Sequence, residues 1–150
     1  AKTLLGFERL SSGSPRRPRA PLNYARHVAN ENGLWDDPDF YSRFVRFSLD
    51  VEDLNTMYES FCDIVRLGKM PGPEISAMKI FAGETTQRLA ELVLESAGEA
   101  GILNEKQTYD GKELNLLAPF YTMFGAMIAS GSNDIQRNIL SQRVLSLPMK

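Results

Sequence analysis

The stretch Pro38-Asp39-Phe40-Tyr41-Ser42-Arg43-Phe44-Val45-Arg46-Phe47-Ser48-Leu49-Asp50-Val51, running on through Leu54, Tyr58 and Phe61 to Val65, decides the architecture. Its apolar residues Phe40, Phe44, Phe47, Val51, Leu54, Tyr58, Phe61 and Val65 are separated by steps of 4, 3, 4, 3, 4, 3 and 4. Such steps keep every member on one side of an α-helix, so the pattern predicts a long helix packed against other helices. Asp36 or Asp37 is placed to cap its start, with Pro38 in the first turn, where a missing N–H costs nothing. Gly68, followed by Pro71, Gly72 and Pro73, ends it in a compact turn.

A second helix is predicted from about Glu74 to Ala97, with Ile75, Met78, Phe81, Ala82, Leu89, Leu92 and Val93 on its apolar face and Gly98 at its end. Residues 99–113 read as a loop. Leu114 to Ile128 reads as a shorter, partly helical apolar piece with Pro119 near its start, and Gly131 breaks it. Ser132 can cap a last helix whose first turn holds Asp134, a charge that suits the helix dipole. Ile135, Ile139 and Val144 are expected to face inward, and Pro148 to stop the helix. At the other end, Ala1 to Leu10 reads as the end of a helix, Ser11 to Pro21 as a Ser/Pro/Arg-rich loop, and Leu22 to Asn32 as a short helix stopped by Gly33. No strand alternation of useful length is seen. The expected fold is all-α, a four-helix up-down bundle.

Composition narrows the function classes. At 150 residues the chain has one domain's worth of sequence. With 43% hydrophobic and 24% charged residues it has ordinary globular composition. A net charge of -2 gives no general attraction to nucleic acid or anionic membrane. No apolar run approaches the roughly 20 residues that span a bilayer. One cysteine, Cys62, and one histidine, His27, leave no zinc-ligand set and no internal disulfide, so no metal is expected and a reducing, cytoplasmic compartment is.

The closing run Ser130-Gly131-Ser132-Asn133-Asp134-Ile135-Gln136-Arg137-Asn138-Ile139-Leu140, continuing to Leu147-Pro148, resembles the terminal motif of the acyl-CoA dehydrogenase C-terminal domain. Leu4-Leu5-Gly6-Phe7-Glu8-Arg9 resembles the start of that domain. Pro71-Gly72-Pro73-Glu74, then Ser76-Ala77-Met78-Lys79 and Gln87-Arg88-Leu89-Ala90-Glu91-Leu92, resemble its third helix. The order and spacing of these matches carry the resemblance more than any single string. It implies FAD-dependent α,β-dehydrogenation of an acyl-CoA thioester, with an electron-transfer flavoprotein or other acceptor and homo- or hetero-oligomeric assembly. It also implies that residues 1–150 are a C-terminal piece lacking the family's N-terminal helical and middle β domains.

Two positions supply the family's base. The one before the terminal Gly-Thr is Ser130 here, and a serine without a partner is no base at neutral pH. The other matches Glu8, beside Arg9. The resemblance therefore makes Glu8 the catalytic candidate, Arg9 and Ser130 substrate-side residues, and Gly131, Ser132 and Asp134 flavin contacts. On residue type alone, Glu8-Arg9 is equally a solvated pair, and Ser132 and Asp134 are equally cap residues. Two family strings are not matched. Residues 30–40 lack an Arg-x-x-Phe-Gly, and Glu95, Gly98, Glu99 and Gly101 stand where a Gln-x-x-Gly-Gly-x-Gly would approach a neighbouring subunit's cofactor. Three readings remain: the dehydrogenase domain, a flavin monooxygenase or oxidase on the same fold, and a non-catalytic subunit of a heteromeric dehydrogenase.

Overall fold

A computed structural model describes residues 8–148. A helical turn at 8–12 precedes α1 (Arg16–Asn32), α2 (Pro38–Arg66) and α3 (Ile75–Ala97). A two-stranded antiparallel hairpin, β1 (Gln107–Tyr109) and β2 (Lys112–Leu114), follows, then α4 (Ala118–Ile128) and α5 (Asn133–Arg143). The all-α four-helix bundle expected from the sequence is the observed architecture. α3 is its centre, touching α1, α2, α4 and α5.

The stripe on α2 behaves as its spacing requires. Phe40, Phe44, Phe47, Val51, Leu54 and Phe61 are buried, and Tyr58 and Val65 are half-buried near the end. Asp37 caps α2 by accepting from the Asp39 and Phe40 N–H groups. The core divides in two along α3. Leu89, Leu92 and Val93 pack with Val28 of α1 and Phe44 and Phe47 of α2. Ile75, Met78 and Ala82 pack with Leu54 and Phe61.

Three sequence expectations change. The span expected to loop from Ser11 to Pro21 is helical from Arg16 onward. Pro18 lies in the first turn, where N–H groups have no intrahelical partner anyway, and both Pro18 and Pro21 bury their rings. The span 99–113 is not plain loop: a 3-10 turn (Gly98–Ile102) leads into the hairpin. Asp110 (φ 50) and Gly111 (φ 68) form its two-residue turn, the positive-φ pair that such tight hairpins need. Residues Ile135 and Val144 are exposed, not inward, and Ile139 is half-buried. α5 instead buries two amides, Asn133 and Gln136. The Leu4–Phe7 part of the family resemblance lies outside the described residues.

Candidate active-site turn

The segment 127–133, between α4 and α5, is tied down from three sides. Ser130 (φ 61) and Gly131 (φ 94) both have left-handed backbone. A serine there stores strain that persists only where surrounding contacts over-determine it. Those contacts are present. Lys79 of α3, only 1% exposed, donates from Nζ to Met127 O (2.7 Å), Gly131 O (2.9 Å) and Asn133 Oδ1 (3.0 Å). Gln136, fully buried, donates from Nε2 to Ser130 O (2.8 Å) and Gly131 O (3.3 Å). The ammonium also closes the carbonyl end of α4, where the helix dipole favours a cation. Desolvation, and then the positive charge of Arg17, push the Lys79 pKa down.

The N-terminal turn meets this loop. Ser12 and Ser130 share a hydroxyl–hydroxyl hydrogen bond of 3.0 Å, although 118 residues separate them. Glu8 lies four residues before Ser12, on the same face of the same helical turn. It is exposed, while Arg9 is half-buried. Arg9 Nε is buried and has no hydrogen-bond partner among the described residues. Glu8, the candidate base, is thus carried on the segment that docks against Ser130, the residue standing at the family's other base position.

Ser132 caps α5, its Oγ accepting from the Ile135 N–H at 3.5 Å. With Asn133 and Asp134 it lines a cleft of 550 Å³ whose opposite wall is Glu84, Gln87 and Arg88 of α3. Arg137 bridges that cleft, pairing with Glu84 and lying 3.6 Å from Asp134. Among the described residues Arg88 has no carboxylate partner; its guanidinium meets the Glu84 carbonyl and sits 5.9 Å over the Phe47 ring. The donor set suits a phosphate-bearing cofactor on this side: a hydroxyl, a guanidinium without a carboxylate partner among the described residues and the N-terminus of α5. Arg137 contacts both facing carboxylates, Glu84 and Asp134.

A second cleft, of 730 Å³, opens one turn beyond Glu8. Leu10, Tyr24, Tyr58 and Met123 are among its walls, Arg16 and Arg17 lie on it, and among the described residues no carboxylate does. Its size is that of an ordinary small-molecule pocket, about 300–1,000 Å³.

The positions standing in for the cross-subunit string are used inside the chain. Glu95 pairs with Arg43 at 2.7 Å. A Cβ on Gly101 would sit 2.6 Å from the Leu94 carbonyl oxygen, so close packing on α3 already requires a glycine there. Gly98 ends α3, with its N–H on the Glu95 carbonyl.

Sequence reasoning missed Ser12, Lys79, Gln136 and Arg88 as parts of this site. Lys79 left a trace: it is a charge set between Ile75, Met78 and Ala82 on a stripe that is otherwise apolar.

This bundle with a terminal capped turn is a family architecture. Residues 2–145 match the model of the acyl-CoA dehydrogenase C-terminal domain, and the chain belongs to that oxidoreductase family. Among curated proteins it is similar to the acyl-CoA dehydrogenase IpdE1 of Mycolicibacterium smegmatis, 28% identical over 134 residues, covering 85% of this chain and 32% of that protein. Among solved structures it is similar in fold to the Tcur3481-Tcur3483 steroid ACAD, with TM-score 0.81 at 16% identity, over 97% of this chain and 38% of that one. The ChsE4-ChsE5 complex from Mycobacterium tuberculosis gives TM-score 0.74 at 22% identity, over 91% and 36%. The chain thus spans about a third of the length of IpdE1. Among the described residues no helix is long and apolar enough to cross a membrane.

Proposed function

We propose that this chain is the C-terminal helical domain of a FAD-dependent acyl-CoA dehydrogenase, acting together with N-terminal helical and middle β domains. The observation that carries the reading is the Ser12–Ser130 contact of 3.0 Å, which seats the Glu8 segment against the terminal turn. Only Glu8 of the two base positions has a carboxylate. In this reading Glu8 takes the α-proton of the thioester, while Arg9 and Ser130 border the substrate. FAD, when bound, supplies the acceptor for the β-hydride. Ser132, Gly131 and the first turn of α5 with Asp134 would hold it, with Arg88 beside them. The cleft beyond Glu8 receives the acyl part. Glu8→Gln in the intact protein tests this: a general base contributes about 10²–10⁴-fold, so kcat should fall by that order. Turnover close to the parent's would overturn the assignment.

A finer reading concerns assembly and substrate. The internal use of Glu95 and Gly101 leaves no cofactor-approaching string at the cross-subunit position. This supports a subunit of a heteromeric dehydrogenase, one that contributes a single half-site. The similar ChsE4-ChsE5 structure is a complex of two components, and the similar Tcur3481-Tcur3483 protein is a steroid ACAD, which favours a steroid-type thioester here too. Measuring bound FAD on the protein purified without a partner decides it. One FAD per subunit in a stable homotetramer refutes the heteromeric reading.

A further inference from the structure

Lys79 does something that neither the proton transfer nor the bundle's stability demands. It places an ammonium inside a helix interface, bonded to two carbonyls and an amide oxygen and to no carboxylate among the described residues. A methionine of similar length would fill that space without the desolvation cost of a buried charge. All its donor capacity goes to one place. Its three N–H groups meet three oxygens spanning Met127 to Asn133. Gln136 converges on the same stretch from α5, and its Oε1 is buried without a partner among the described residues. Between them these two side chains hold the carbonyls of Met127, Ser130 and Gly131, while Ser132, Asn133 and Asp134 remain on the wall of the cleft shared with Arg88.

We propose that Lys79 and Gln136 are positioning residues for cofactor binding. They hold the turn's carbonyls toward the interior and so fix the Ser132 hydroxyl and the N-terminus of α5 against the phosphate groups of a dinucleotide. Ser130 and Gly131 keep their positive φ because this clamp outweighs the strain. The inference rests on the reading that FAD binds this turn, and it adds which buried groups set the affinity.

The test is FAD titration of the apo form of the intact protein, with its partner subunit where one copurifies. The variants are Lys79→Met and Gln136→Ala, with Leu89→Ala as a comparison that destabilises α3 away from the turn. FAD fluorescence gives Kd, and circular dichroism gives the folded fraction under the same conditions. Gln136→Ala buries no charge and keeps the test available should Lys79→Met fail to fold. The expected result is a Kd at least tenfold weaker for the clamp variants and unchanged for Leu89→Ala. A parent that binds FAD while its clamp variants bind within twofold of it overturns the positioning role and leaves the cofactor reading standing. An equal loss in Leu89→Ala also overturns it, because the effect is then general destabilisation. A parent that binds no FAD refutes the cofactor reading, and the inference falls with it.

Discussion

Gly131→Ala probes the terminal turn most directly. Gly131 has φ 94, and a Cβ there would lie 2.8 Å from Gln136 Nε2. Two costs follow. Positive φ on a residue with a side chain costs roughly 1–2 kcal/mol. The new methyl group also displaces the buried Gln136 amide, whose two hydrogen bonds to the turn are worth about 0.5–1.5 kcal/mol each. The sum is about 2–5 kcal/mol, a large part of a typical domain's stability of about 5–15 kcal/mol. Gly33→Ala supplies the control: its φ is 68 and nothing lies within 4 Å of its added Cβ. It should show the backbone cost alone. Urea unfolding followed by helical circular dichroism, fitted as a two-state transition, gives both values. The reasoning fails if Gly131→Ala loses no more than Gly33→Ala, since the amide would then have room to yield.

Three further outcomes are expected. Leu89→Ala empties a fully buried site in the α1–α2–α3 core and should cost about 2–5 kcal/mol in the same unfolding assay; a loss under 1 kcal/mol would mean that the site collapses. Asp37→Ala removes the acceptor for two N–H groups at the start of α2 and should lower stability by about 1 kcal/mol, whereas an unchanged midpoint would show that the first turn frays anyway. Hydrogen bonds from Asn30 and His27, with the charge of His27, hold the Asp110 carboxyl below the usual aspartate range. A depressed carboxylate contributes stability above its unfolded pKa and loses it as pH falls through the folded one. NMR titration should therefore find Asp110 below the unfolded-state value, and His27→Ala should move it upward; an Asp110 midpoint indifferent to His27→Ala refutes the pairing.

The α2 stripe was legible because a 4–3 apolar repeat has only one efficient way to be buried. Its cap was legible because Asp-Pro signals a helix start locally. The hairpin was not, since strands of three residues carry too little alternation to register; only Asp110-Gly111 marked it. The start of α1 was hidden for a related reason. Pro15, Pro18 and Pro21 read as loop punctuation until tertiary burial of their rings outweighs their poor propensity. Ile135 and Val144 misled because a solvent-exposed isoleucine or valine looks, in sequence, like a buried one. The family resemblance pointed to Glu8, Ser130, Gly131, Ser132 and Asp134 as candidates but said nothing of what holds them.

What the sequence determined by itself is therefore local and periodic: the all-α class, the long helices and their caps, and the resemblance of the terminal motif. Tertiary structure decided which distant groups meet. The Ser12–Ser130 hydroxyl pair and the Lys79 and Gln136 bonds to the terminal turn do not follow from any repeat. The first joins residues 118 positions apart, and the Lys79 bonds cross from α3 to a turn far along the chain. Hydrogen-bond partners at such separations depend on how helices pack, and a strained φ at Ser130 is tolerable only once those partners are in place.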